Sequence, residues 1–243
     1  MKLKNLLEKN LFIFMIIFIY VIDCLGQSQV QFQKINQSNG LSSNRVTGII
    51  KENNGFAWIG TENGLNRFDG KQFKIYNSQN SSISSNNISD VLLDSKGRIW
   101  VATLGGGLNL YDNISDDFVV FKNDSKDLTS LPSNQLYKLY EDSNGNLWIG
   151  SENGLCLFVE ASNLFITYHQ QNNDNNISYN KVTSIYEDTK GDLWIGTFGG
   201  GLNKFSMATK IFKHIESDTS IFNDFVHTIS QLNEDVLLVG TSG

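Results

Sequence analysis

The chain has 243 residues, a formal net charge of −6 and two cysteines. An acidic chain of this kind argues against nucleic acid as a partner, because phosphate binding needs a basic surface. Its length is enough for one sizeable hydrophobic core.

The first residues have the composition of an export signal. Lys2, Lys4 and Lys9 precede an uncharged apolar run at 11–22, which is short for a membrane span but suits a signal-peptide core. We predict a signal peptide at 1–26, with cleavage after Gly26. The alternative is lipidation of Cys24, which ranks second because Asp23 fits a lipobox poorly. Either way the chain is exported.

Removal of the signal peptide changes both charge and cysteine content. Three lysines and two acidic residues leave with it, so the net charge becomes −7. Cys156 is then the one remaining cysteine, which excludes an internal disulfide. We expect its thiol to be a small buried apolar group rather than a reactive nucleophile.

The segment 27–40 holds a candidate closing strand. Val30–Ile35 alternates apolar and polar residues, as a half-buried strand does. It precedes the first repeat unit, so we predict that it completes a blade formed by another part of a ring of blades.

A four-residue motif recurs along the rest of the chain. It consists of Trp, then Ile or Val, then Gly or Ala, then Thr or Ser. It begins at Trp58, Trp100, Trp148 and Trp194, and a fifth copy without the aromatic ring spans 238–241. The spacings are 42, 48, 46 and 44 residues. Such a period with one aromatic-anchored strand per unit is typical of β-propellers.

Other positions recur in register with these tryptophans. Three residues before each stand Gly55, Gly97, Gly145 and Gly191; six residues before stand Glu52, Asp94, Asp142 and Asp188; fourteen residues before stand Asn44, Asn86, Asn134 and Asn180. The acid and the glycine predict a tight hairpin turn, and the asparagines are expected to cap the turn into each first strand. We interpret these columns as structural, since a catalytic group is needed once and not once per unit.

The pattern predicts an all-β protein, an incomplete β-propeller of four-stranded antiparallel blades without helices. The four full blades and the incomplete fifth are expected at about 41–76, 83–121, 131–168, 177–215 and 221–243. Because the last unit stops after its second strand, we expect an open arc that is the N-terminal fragment of a longer product.

No constellation for chemistry is visible in the sequence. The three histidines, His169, His214 and His227, lie in separate units, and only His227 occupies a first-strand position that could face a central channel. No metal-ligand spacing occurs. We therefore predict no catalytic residue, no metal and no cofactor, and we do not expect this chain to be an enzyme.

Function is expected where the repeat varies. In propellers the linkers between blades share one rim with the turns between second and third strands. The ligand-binding candidates on that rim are Arg45, Glu62, Gln135, Glu152, Lys181 and Phe198. Their mixture of charges, amides and an aromatic ring suits a polar ligand such as a sugar. The alternative is ordinary variation of surface loops.

The repeat resembles the two-component regulator propeller repeat, most closely at 131–155 and 177–205. That family forms the periplasmic sensor region of hybrid two-component histidine kinases, common in Bacteroidetes. The resemblance implies a parent protein anchored in the inner membrane by a later segment, paired as a homodimer, that senses glycan breakdown products and starts a phosphorelay. It transfers no ligand residue, because the family's contacts follow no fixed motif.

Two other classes of function stay open. A propeller lyase or hydrolase acting on a polysaccharide would need a unique His/Glu/Asp set, for which only His227 is eligible. A non-catalytic scaffold for protein interactions would need no such set.

Overall fold

The computed structural model describes residues 32–171, 175–215 and 225–242. The predicted signal peptide at 1–26 lies outside these residues, as do Val30, Gln31 and the start of the predicted fifth blade at 221–224. All the strands described below belong to one compact unit, residues 36–243. Residues 32–35 form no strand, so the closing strand stays a prediction. In the described part of the chain, no helix is long and apolar enough to cross a membrane.

Four four-stranded antiparallel sheets and one two-stranded sheet follow one another along the chain, each with its strands in sequence order. Blade 1 is β1 (Val46–Lys51), β2 (Ala57–Thr61), β3 (Gly64–Phe68) and β4 (Phe73–Tyr76). Blade 2 is β5 (Ile88–Leu93), β6 (Ile99–Thr103), β7 (Gly107–Asp112) and β8 (Asp117–Phe121). Blade 3 is β9 (Leu136–Glu141), β10 (Leu147–Ser151), β11 (Gly154–Val159) and β12 (Leu164–Tyr168). Blade 4 is β13 (Val182–Glu187), β14 (Leu193–Thr197), β15 (Leu202–Phe205) and β16 (Phe212–His214), and the half-blade is β17 (Phe225–Asn233) and β18 (Val236–Ser242).

The blades are arranged radially, as the sequence predicts. Each first strand contacts the first strand of the next blade, in the order β1, β5, β9, β13, β17. Among the described residues the fourth strands share no comparable interface, so the blades converge on their first strands and diverge outward. In the part of the chain that the structure describes, β1 and β17, the two ends of this series, share no such interface, so the arc is open there. Two short 3-10 turns, Gln37–Asn39 and Glu160–Ser162, depart from the expectation of a chain without helices.

A hydrogen bond from the tryptophan indole to the turn carboxylate organises each blade. Trp100 Nε1 donates to Asp94 at 2.9 Å, and the same carboxylate accepts the backbone N–H groups of Lys96 and Arg98 in the hairpin turn. Burial raises the pKa of Asp94, but the hydrogen bonds from Trp100 and Arg98 outweigh it and hold the pKa below its ordinary value. The equivalent pairs are Trp58 with Glu52, Trp148 with Asp142, and Trp194 with Asp188.

The hydrophobic core lies between the blades rather than inside any one of them. Trp58, Trp100 and Trp148 are fully buried. Each ring packs edge-on against an aromatic residue on the third strand of the next blade, namely Tyr111, Phe158 and Phe205. Trp194 faces the two-stranded sheet and stays partly exposed. A blade is therefore stable only against a neighbour.

The asparagine column fastens each blade to the chain that precedes it. Asn86 Oδ1 accepts the N–H of Ser78 at 2.8 Å, and the Asn86 carbonyl accepts the N–H of Gly64 in the glycine-rich turn of blade 1. Asn44, Asn134 and Asn180 make the same side-chain bond to Gln37, Asn123 and Gln170. These side chains thus act across the linker and not, as the sequence suggested, as local turn caps.

A second set of fasteners lies at the opposite end of the blades. The Glu141 carboxylate accepts both the N–H and the hydroxyl of Ser95 from the previous blade, each at 2.7 Å. Glu187 holds Ser143 in the same way. Between blades 1 and 2 the glutamate position is occupied by Leu93. There the contact is made instead by Asp116, which accepts hydrogen bonds from the hydroxyls of Tyr76 and Tyr111.

A buried asparagine on the third strand locks three of the four blades internally. Asn66 Oδ1 accepts the N–H of Ser42, and its Nδ2 donates to the Ile59 carbonyl. Asn109 with Ser84 and Asn203 with Ser178 repeat the arrangement. Blade 3 has Cys156 in place of the asparagine and Pro132 in place of the serine. Pro132 has no N–H group to donate, and the Cys156 side chain has no amide oxygen to accept one. Both halves of the lock are therefore absent from blade 3.

We predict that Trp148→Ala lowers the free energy of unfolding by about 3–5 kcal/mol, because truncation leaves a large cavity and removes the indole donor of Asp142. Phe198→Ala, at a half-buried position outside the core, is expected to cost about 1 kcal/mol from the loss of one aromatic contact. Denaturant titrations of the two variants measure the difference, and equal losses would show that the tryptophan does not hold the blades together.

We predict that Pro132→Ser and Cys156→Asn are coupled. Each change alone introduces a polar group without its partner, buried at 156 and partly buried at 132, whereas the double variant rebuilds the lock of the other blades. The expected coupling is favourable by about 1–3 kcal/mol. A double-mutant cycle of unfolding free energies measures it, and strict additivity would contradict the proposed pairing.

Candidate functional site

The linkers between blades and the turns between second and third strands meet at one end of the arc. We call this surface the linker rim. Backbone hydrogen bonds join its two components, since Glu152 N–H donates to the Gln135 carbonyl and Phe198 N–H to the Lys181 carbonyl. Isolated bridges link Leu104 to Gln135 and Phe198 to Phe225 across blade boundaries. The rim is therefore a continuous row of variable side chains on a fixed backbone.

Three of the six candidates converge on this rim between blades 3 and 4. The Lys181 ammonium lies 3.5 Å from the Glu152 carboxylate and 4.3 Å from the centre of the Phe198 ring. It also lies 4.9 Å from the centre of the Tyr137 ring, and the Tyr137 hydroxyl donates to Glu152. The cation is thus enclosed by a carboxylate and two aromatic faces, an arrangement that favours a fixed position.

An aromatic platform extends the cluster toward the half-blade. The rings of Phe198 and Phe225 stack with centroids 3.8 Å apart and an interplanar angle of 27°. Phe225 remains 37% exposed, so part of the stack is open to solvent. A flat exposed ring of this kind offers a face to the C–H groups of a sugar or to another planar group.

The remaining candidates lie apart from that cluster. Arg45 and Glu62 pair with each other on blade 1, with Nη1 and Oε2 3.4 Å apart, and both side chains are largely exposed. Gln135 lies between blades 2 and 3, where its backbone joins the turns on either side. All six candidates therefore lie on the linker rim. Direct side-chain contacts join Glu152, Lys181 and Phe198 in one group and Arg45 and Glu62 in another.

Tyr137 and Phe225 were missed by the sequence reasoning, although signals for both existed. Tyr137 is the one aromatic residue in a first-strand column that otherwise holds Thr47, Ser89, Thr183 and His227. Phe225 occupies the fifth-unit position of the column that contains Arg45 and Lys181. Burial and the hydrogen bond to Glu152 raise the pKa of Tyr137, so its hydroxyl is a hydrogen-bond donor at neutral pH.

The cysteine and the histidines considered as chemical groups lie apart from one another. Cys156 is buried, and burial raises the pKa of its thiol to about 12, which leaves little thiolate at neutral pH. His227 contacts Ser242 at 2.8 Å, and His214 lies in β16 against the Asn176 carbonyl. No cluster of three or more potential metal ligands occurs in the ranges that the structure describes.

Comparison with known proteins identifies the repeat. The family model described as two component regulator propeller matches residues 40–63, 82–105, 130–153 and 176–199. Each match covers the linker end, the first strand, the hairpin, the tryptophan strand and the start of the following turn. A stretch of 51 residues is 41% identical to histidine kinase P4 of Formosa agariphila, covering 21% of this chain and 4% of that protein.

Solved structures share the architecture. The extracellular domain of a B. thetaiotaomicron protein described as a hybrid two-component system superposes with a TM-score of 0.76 at 30% identity, covering 86% of this chain and 29% of that one. A second such domain from the same organism gives a TM-score of 0.72 at 24% identity, covering 88% and 31%, and supports the fold alone. The chain spans less than a third of each of these proteins.

We predict that Glu152→Gln changes the free energy of unfolding by no more than about 1 kcal/mol, because the Glu152 side chain is half-exposed and glutamine keeps an oxygen that can accept from Tyr137. Asp94→Asn, which disturbs a buried carboxylate with four donors, is expected to cost more, about 2–3 kcal/mol. Urea midpoints of the two variants test the distinction. A large loss from Glu152→Gln would mean that the rim pair is structural.

Proposed function

The chain belongs to the two-component regulator propeller family, and from this premise we propose that its linker rim is a ligand-sensing surface of an exported signalling protein. The similarity to extracellular domains of two-component systems supports export to the periplasm. The match to a histidine kinase and the similarity to a hybrid two-component system support a parent protein that signals through a kinase. Our proposal adds that this parent is anchored in the membrane and acts as a homodimer. In this proposal the chain binds and does not catalyse.

The observation that carries the proposal is the cluster of Tyr137, Glu152, Lys181, Phe198 and Phe225. It combines an exposed aromatic face with polar groups whose geometry is fixed by mutual contacts. Such a combination suits a ligand that is flat on one side and hydroxylated at its edge, as an oligosaccharide is. The ligand we propose is therefore an oligosaccharide released by glycan breakdown.

The charge of the rim favours a neutral ligand. Lys181 and Arg45 are each paired with a glutamate, so neither offers an unopposed positive charge. A net charge of −6 for the whole chain adds long-range repulsion of strongly anionic glycans. Paired charges still present hydrogen-bond donors and acceptors to sugar hydroxyl groups.

The test is a calorimetric titration of the full chain against neutral and acidic oligosaccharides, with product analysis of each mixture. We expect binding of a neutral member without turnover. Phe198→Ala is expected to weaken that binding by roughly tenfold, about 1.4 kcal/mol, because it removes the ring on which the exposed Phe225 is stacked. Val119→Ala, at an exposed apolar position on the fourth strand of blade 2, is the control and should bind normally.

The outcomes separate the three classes of function. Turnover of any sugar would place the protein among the propeller enzymes. Binding to none of them, together with binding of a protein partner, would favour the interaction scaffold. Preferential binding of acidic oligosaccharides would contradict the charge argument but not the sensing role.

A further inference from the structure

A polar cavity of about 580 Å³ opens on blade 1, apart from the cluster around Lys181. It lies between the 3-10 turn at Gln37–Asn39, the glycine-rich turn after β2 and the linker that follows β4. Five amide side chains and one hydroxyl line it: Gln37, Asn63, Asn77, Gln79, Asn86 and Ser42. No ionisable side chain is among its lining residues. The volume is within the range of sites for small organic ligands.

The fold fixes the orientation of four of these amides. Asn86 Oδ1 and Asn77 Oδ1 accept the backbone N–H groups of Ser78 and Gln79, which identifies the oxygen atom of each. Their NH2 groups have no hydrogen-bond partner among the described residues. Both therefore remain available as donors.

The other two oriented amides are available as acceptors. Asn63 and Gln37 each donate their NH2 group to the Ser42 carbonyl at 3.3 Å, so each oxygen is free of any partner that the structure describes. The Gln79 side chain makes no described hydrogen bond and can act as donor and acceptor. Donors thus come from the linker that follows β4, and acceptors come from the 3-10 turn and the glycine-rich turn after β2.

Gly40 and two apolar residues complete the lining. Leu41 is buried and Ile75 is partly buried, and they form a small hydrophobic part of the cavity surface. An ion would find no counter-charge here, and an apolar ligand would leave the amides unpaired at a cost in free energy. A ligand with several neutral hydroxyl groups and C–H faces satisfies both surfaces.

We infer that this cavity is a binding site for a neutral mono- or disaccharide. The inference deepens the proposed function, on which it rests for its biological role. It adds a site outside the linker-rim cluster and a ligand class defined by the absence of charge. Each sugar hydroxyl can accept from Asn77 or Asn86 and donate to Asn63 or Gln37.

The test uses the full chain and three neutral disaccharides, cellobiose, maltose and lactose, with digalacturonate as the acidic comparison. Binding is followed by the side-chain NH2 resonances of asparagine and glutamine during titration. We expect a neutral disaccharide to shift resonances of Asn77 and Asn86, with weaker or no response to digalacturonate. Asn63→Leu and Gln79→Leu are each expected to weaken binding roughly fivefold to tenfold.

Asn153→Leu is the matched control. Asn153 occupies the same repeat position in blade 3 and donates to the Pro132 carbonyl at 3.4 Å, as Asn63 does to Ser42. The variant loses the same structural hydrogen bond outside the cavity and should bind like the unmodified chain. Equal weakening by Asn63→Leu and Asn153→Leu would overturn the inference.

Two results distinguish this site from the proposed function. Binding that is lost in Phe198→Ala but retained in both Asn63→Leu and Gln79→Leu would overturn the cavity site and leave the cluster around Lys181 as the sensing site. Stronger binding of digalacturonate than of every neutral disaccharide, with shifts at Asn77 and Asn86, would also overturn it. Binding of no saccharide at all would contradict both proposals.

Discussion

The hydrogen bond between the tryptophan indole and the turn carboxylate is the constraint on which the rest of the structure depends. In blade 3, Asp142 accepts the indole N–H of Trp148 and two backbone N–H groups of its own hairpin. One buried carboxylate therefore shapes the turn and fixes the ring. The ring then reaches across to Phe205 of the next blade. Local and long-range order consequently share the same two residues.

Side-chain hydrogen bonds hold both ends of the blade interfaces. They leave a restricted set of residue positions free to vary in sequence. Asn134 and its equivalents hold the linkers, and Glu141 and Glu187 hold the hairpins of the preceding blades. Between these anchors, the linker rim presents side chains that no structural hydrogen bond of the repeat requires. A rigid scaffold with variable edge residues is how many binding surfaces are organised.

The sequence predicted the blades, their order and the tryptophan positions because each is encoded within one repeat. The pairing of Lys181 with Glu152 was not predictable, because it joins two blades and depends on how far the linker brings them together. The amide cavity was missed for a similar reason, since Gln37, Asn63 and Gln79 come from three segments with no shared motif. The prediction for the asparagine column was wrong because the sequence position is the same for two roles. An asparagine there can cap its own turn or hold a neighbouring linker, and the sequence does not distinguish them.

Both partners of the lock between Asn66 and Ser42 lie inside a single repeat, and so do their counterparts in blades 2 and 4. A blade copied by gene duplication therefore carries its own lock with it. The exchange to Pro132 and Cys156 in blade 3 needed no compensating change in any neighbour. The hydrogen bonds between Ser95 and Glu141 join different repeats. An inserted repeat that has both the serine and the glutamate can still form this contact with the repeat before it and with the repeat after it. Such a chain can gain or lose whole blades in evolution while each remaining interface keeps its contacts.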